Sequence, residues 1–120
     1  MDAIERVNPV RITDNETGNK YELDFSRESV VFAENRQFDP GDVAKYPQSK
    51  VPEFWYYAFR KNHKGMTRTQ TDALLNKLGG LTAKMGERLM LLYAQAQASN
   101  AIQTDEELEA NPKMTVEMDE

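Results

Sequence analysis

Two short runs near the start of the chain alternate apolar and polar residues in period two: VRIT at 10–13 and KYELDF at 20–25. Alternation at that period lines one face of an extended strand with apolar side chains. Val10 and Ile12 share one face, and Tyr21, Leu23 and Phe25 share another. The intervening DNETGN is rich in turn formers and offers Gly18 for a positive φ, so the pattern predicts a β-hairpin. Two strands alone are marginal in water; the hairpin must lean on helices or pair with another copy.

From Ser26 the period lengthens. Ser26 suits an N-cap, Glu28 the first turn, and Phe25 with Val30 the two positions of a hydrophobic staple. A helix through Asn35 is expected, although Val30, Val31 and Phe32 would also suit a strand. Asp39-Pro40 predicts a short helical turn at most. YPQSKVP, 46–52, reads as a connection closed by two prolines, with a helix from Pro52 to Lys64. Gly65 would end that helix in the left-handed conformation, with Lys61, His63 and Lys64 in its last turn.

Thr67 and Gln70 form a T-x-x-Q capping box that opens a helix to Leu78, with Thr71, Leu74, Leu75 and Leu78 on one face and Gly79-Gly80 at its end. Thr82 caps a last helix to Ser99, striped by Leu81, Met85, Leu89, Leu92, Tyr93 and Ala96. From Asn100 the periodicity fails, and AIQTDEELEANPKMTVEMDE reads as flexible or as ordering only on a partner. The expected architecture is mainly α: a small bundle of four to five helices with an N-terminal β-hairpin. A single domain would occupy 1–99 and a flexible acidic C-terminal tail 100–120. No internal repeat is visible.

Charge and composition narrow the function. The net charge of −5 is uneven: seven acidic residues from Asp105 onward face Lys113 alone, which leaves residues 1–104 at +1. A near-neutral body lacks the broad positive field that phosphate backbones need. With no cysteine, disulfides and thiolate metal sites are excluded. No run approaches the ~18 apolar residues of a membrane span. The first residues carry no apolar stretch of signal-peptide length, so the chain is expected to stay where it is made.

Catalytic chemistry finds little support. The one histidine, His63, has no nucleophile or metal-ligand partner at useful spacing and reads as an exposed residue at a helix end. GLTAKMGE, 80–87, lacks the glycine spacing and lysine placement of a phosphate loop. Nucleic-acid binding has one argument, the cluster Arg60, Lys61, Lys64 and Arg68 beside aromatics. The same cations also complement a helix end, and the last helix exposes little beyond Lys84, Glu87 and Arg88 for reading bases. The pattern disfavours a nucleic-acid partner.

Protein binding is the better fit. Five of the eleven aromatic side chains fall within FWYYAF, 54–59. On a helix, Phe54, Trp55, Ala58 and Phe59 span an arc of about 140°, a normal core face. Tyr56 and Tyr57 fall outside it, and Met90 and Leu91 fall outside the stripe of the last helix. Taken together, these four predict a hydrophobic contact surface.

Three blocks carry a resemblance: YELDFSRESVVFAENRQF, FWYYAFRKNHKGMT and TDALLNKLGGLTAKMGERLMLLY, in this order. Over residues 20–97 they resemble the small tail assembly chaperones of long-tailed phages and prophages of Gram-positive bacteria. The resemblance implies a non-catalytic protein without cofactor or metal. It would bind the tape measure protein in the host bacterial cytoplasm, keep it soluble until tube subunits polymerise, and be absent from the mature virion. The tail tube protein is a second partner it suggests. Many such proteins also occur in a longer frameshifted form, and many self-assemble, for which open hairpin edges offer a physical route to a homo-oligomer. A small phage DNA-binding regulator and a head–tail structural protein are the alternative readings.

Overall fold

The computed structural model describes residues 7–98, 110 and 112–118. Along the chain run β1 (Val10–Thr13), β2 (Lys20–Leu23), α1 (Arg27–Asn35), α2 (Asp42–Lys45), α3 (Pro47–Phe59), α4 (Arg68–Leu78) and α5 (Ala83–Ala98). The protein is a mainly α domain with an antiparallel hairpin at its N-terminal end. The tail expected from residue 100 falls largely outside the described residues; Ala110 and residues 112–118 belong to no helix or strand.

Pairing Val10 with Leu23 and Ile12 with Tyr21 sets all four apolar side chains on one face of the hairpin, turned toward the helices. Gly18 takes φ 77° in the turn, and its N–H donates to the Asp14 carbonyl at 2.7 Å.

Local capping defines most helix starts. The Ser29 N–H donates to Ser26 Oγ at 3.2 Å while the Ser26 N–H donates to Ser29 Oγ at 2.7 Å, a capping box built from two serines. Thr67 and Gln70 make the same reciprocal pair for α4, and Gly79 ends that helix at φ 87°. Thr82 Oγ1 accepts the Met85 N–H at 3.1 Å to open α5.

The third helix departs from expectation at both ends. It starts at Pro47 rather than Pro52, placing Pro52 inside it. A proline there lacks the N–H that would bond four residues back, a loss confined to the outer second turn. It stops at Phe59 rather than Lys64, and Gly65 holds no positive φ. The reason is tertiary: the Asp24 N–H donates to the Ala58 carbonyl at 3.1 Å, so the end of β2 takes the acceptor a further helical turn would have used.

The core is aromatic. Phe25 and Phe38 stack on Phe54 with centroids 5.3 and 5.6 Å apart, and Tyr93 meets all three rings edge-on or tilted. Leu23, Val30, Ala33, Leu89 and Leu92 close around them. Trp55 joins α3 to α4 by donating Nε1–H to the Thr71 carbonyl at 2.8 Å.

Tyr93 carries a cost. Its hydroxyl is buried without a hydrogen-bond partner among the described residues, and burial pushes its pKa up to about 12. Tyr93→Phe keeps the ring and removes the orphan group, so a stability gain of about 1 kcal/mol is expected from the urea midpoint.

Candidate functional site

The four residues expected to form a contact surface separate in the structure. Tyr57 is a correction: it is 2% exposed and belongs to the core. The rings of Phe38 and Phe32 meet it edge-on at 5.1 and 5.9 Å, and its hydroxyl donates to Glu53 Oε2 at 2.6 Å. Burial first, and then the Glu53 carboxylate, raise its pKa well above the ordinary phenol value. Tyr56 and Met90 are half-buried and packed against the core. Leu91 alone is open, 54% exposed on the face of α5 opposite Leu89, Leu92 and Tyr93. Tyr56 lies at the other helix, tilted against Phe32 at 6.4 Å.

Periodicity missed other open apolar side chains on the helical body. Val31, Tyr46 and Leu78 are 44–60% exposed. Two shallow clefts lie at the end of α4, and Leu78 lines the first of them. One, about 280 Å³, is walled by Ile12, Thr13, Leu74 and Leu78 with Asp14 and Lys77 on its rim. The other, about 440 Å³, is lined by Pro47, Val51, Pro52, Leu75, Gly79 and Gly80. Leu78 appeared in the sequence as part of a core-facing stripe, yet only Thr71 and Leu75 of that stripe are buried.

The basic cluster is largely paired where it stands. Arg60 bonds Glu28 at 3.1 Å, Lys61 bonds Asp24 at 2.6 Å, Arg68 bonds Asp72 at 3.0 Å, and Lys64 lies 3.9 Å from Glu28. The guanidinium groups of Arg36 and Arg60 also sit over the Phe32 ring, at 4.4 and 3.8 Å from its centroid. Four cations set against three carboxylates, Glu28 being shared by Arg60 and Lys64, leave little net positive field.

His63 is likewise placed differently from expectation. It lies beyond α3, half-buried, with Nε2 accepting the Glu22 N–H at 3.0 Å and its ring edge-on to Tyr21 at 5.4 Å. An acceptor at Nε2 fixes the neutral tautomer with the proton on Nδ1. Its role is to close the outer edge of β2, helped by Asn62 donating to the Glu22 carbonyl at 3.2 Å.

One ionic clasp crosses from the hairpin turn to α4. Lys77 Nζ lies 2.7 Å from Asp14 Oδ2 and 3.0 Å from Glu16 Oε1, and the Asp14 side chain is almost wholly buried. The Lys77 hydrogen bond holds the Asp14 carboxyl below its ordinary 3.8, against the opposing effect of burial. Asp14, then Glu16, raises Lys77 above its ordinary 10.5. A depressed acid stabilises the fold above its unfolded pKa and loses that contribution as pH falls through the folded value. A raised base stabilises below its unfolded pKa and loses that as pH climbs through the folded value. The clasp therefore acts across the whole neutral range. In urea titrations, wild type should exceed Asp14→Asn at neutral pH, and the gap should close as pH falls below 3.8.

Among the described residues, no group of three or more His, Asp or Glu side chains is placed to hold a metal ion. No helix among them is long and apolar enough to cross a membrane. The sequence model of a family described as a domain of unknown function, DUF5055, matches residues 4–118. No curated protein and no solved structure matches the chain.

Proposed function

The chain belongs to the DUF5055 family, and we propose that it is a non-catalytic chaperone of phage tail assembly. In this reading it binds the tape measure protein in the host cytoplasm, keeps it soluble while the tail tube forms, and leaves before the virion is complete. The observation that carries the protein-binding part is the apolar surface left open on the helical body, with Leu91 and Leu78 foremost. Single exposed leucines are ordinary on a soluble domain. The weight comes from Leu78 lining a cleft whose other apolar walls are Ile12 and Leu74, a shape that suits an amphipathic helix laid into a groove.

The client's identity comes from the resemblance of the three sequence blocks to tail assembly chaperones. A tape measure chain offers long amphipathic helices, which such a surface would shield from one another. The DNA-binding alternative draws less support, because Arg60, Lys61, Lys64 and Arg68 all face carboxylates.

The test is co-expression with the tape measure protein of the same phage or prophage, followed by centrifugation and quantitation of the client in supernatant and pellet. Client that pellets alone and becomes soluble with the chain is the expected result. Client that still pellets beside abundant folded chain overturns the reading.

A further inference from the structure

The hairpin has two outer edges, and β2's is closed at Glu22 and Asp24. Along β2, the Glu22 N–H donates to His63, the Glu22 carbonyl accepts from Asn62, and the Asp24 N–H donates to Ala58. Because Glu22 turns its backbone groups away from β1, its partner Arg11 must turn its own away from β2. Two positions on, Thr13 does the same opposite Lys20. Among the described residues the sheet has two strands, so none of them meets these groups of β1 as a third strand. The cleft of about 280 Å³ lies beside that edge, with Ile12, Leu74 and Leu78 as its apolar walls.

Elsewhere in the chain, residues 114–118 read Met-Thr-Val-Glu-Met, an alternation in period two outside every helix and strand. Met114, Val116 and Met118 are 63%, 52% and 84% exposed. Such a segment offers one apolar face at strand spacing that the described residues leave largely exposed.

We propose that this segment is the third strand of the hairpin's sheet, added antiparallel to the outer edge of β1 in the same molecule. One register satisfies backbone and charge together and seats Val116 and Met118 on the apolar face, with Met114 falling opposite Asp14. It pairs Thr115 with Thr13, Val116 with Ile12, Glu117 with Arg11 and Met118 with Val10. The N–H and C=O groups of Thr115 and Glu117 then meet those of Thr13 and Arg11. Val116 extends the apolar face of Ile12 over the cleft, and Met118 extends that of Val10 beside it. Glu117 comes to stand beside Arg11, whose side chain is 75% exposed. A slip of one residue would drive Thr115 and Glu117 into the apolar cleft and strand the methionines in water.

The chain path allows it. The Val7 N–H donates to Gln95 Oε1 at 2.8 Å, so the last turn of α5 lies beside the entry to β1. The residues between Ala98 and Met114 can span up to about 50 Å, against a β1 length of about 13 Å, enough to pass the strand and return along it. Tethering on so short a linker gives a millimolar effective concentration, which favours the chain's own edge over that of a second copy. The family match runs through residue 118 and so takes in both β1 and this segment. The inference stands apart from the choice of client.

Hydrogen exchange on the full-length chain tests it. The Arg11 and Thr13 amides should exchange at least tenfold more slowly in wild type than in the double variant Thr115→Pro with Glu117→Pro, which removes both donors of the third strand. The Ile12 amide, bonded within the hairpin, should not change. Equal rates at Arg11 and Thr13 overturn the proposal. As a second measurement, Ile12→Cys with Val116→Cys in this cysteine-free chain places the pair about 4.5 Å apart at Cα in the stated register. Oxidation should give a cross-linked monomer. Disulfide-linked dimers would assign the donor strand to a second copy and overturn docking within one molecule, as would the absence of any cross-link.

Discussion

Trp55→Ala is expected to destabilise the domain by about 3–5 kcal/mol, a large share of the 5–15 kcal/mol typical of a whole domain. Two effects add. The indole is fully buried, with Phe59 edge-on at 5.1 Å, so truncation opens a cavity between α3 and α4. It also strands the Thr71 carbonyl, which accepts Nε1–H at 2.8 Å and lies on a residue that is itself fully buried. Trp55→Phe separates the two, keeping much of the ring while losing the hydrogen bond, and should fall between wild type and alanine. Trp55 is the only tryptophan, so far-ultraviolet circular dichroism rather than fluorescence must follow the urea transition. A shift under 1 kcal/mol for alanine would mean that α3 and α4 do not pack through this residue.

What the sequence could reveal divides by the range of the interaction. The caps at Ser26, Thr67 with Gln70, and Thr82 satisfy helix donors within three residues, so residue type and spacing announce them, though Ser29 as the partner of Ser26 was not read. Gly79 is equally local, because its φ of 87° is a conformation glycine tolerates and other residues resist. The hairpin was legible for the same reason, its alternation and turn both lying within sixteen residues.

Apart from the early start of α3 at Pro47, the failures are at long range. Nothing near Ala58 in the chain says that Asp24 will take its carbonyl and end α3 at Phe59. Nothing near His63 says that its imidazole will close the edge of β2 at Glu22. Tyr57 was misread because a helical wheel assumes one buried face. Helix α3 is instead covered on several sides: Phe32 and Phe38 come from the α1 side, Trp55 reaches α4, and Phe54 meets Tyr93 of α5. Leu78 erred the other way, since its stripe gave the right face but could not say that the core ends at Leu75.

The second large effect concerns the client. Leu91→Asp combined with Leu78→Asp should leave the fold near wild type, because substitutions at such open positions usually move stability by no more than about 0.5 kcal/mol each. The soluble fraction of co-expressed tape measure protein should nevertheless fall to the level seen without the chain. A carboxylate on an apolar contact must be desolvated without a partner, a penalty far above the loss of one leucine contact. Tyr57→Asp is the informative contrast. At 2% exposure it would carry a charge into the aromatic core and should abolish folding, and client solubility would be lost for that reason alone. Lost solubilisation with an unchanged urea midpoint in the leucine pair therefore separates contact from collapse. If that pair stays folded and still solubilises the client fully, neither open leucine is part of the contact. The protein-binding reading would then lose the observation it rests on, and the half-buried Tyr56 and Met90 would have to carry the contact from positions already packed against the core.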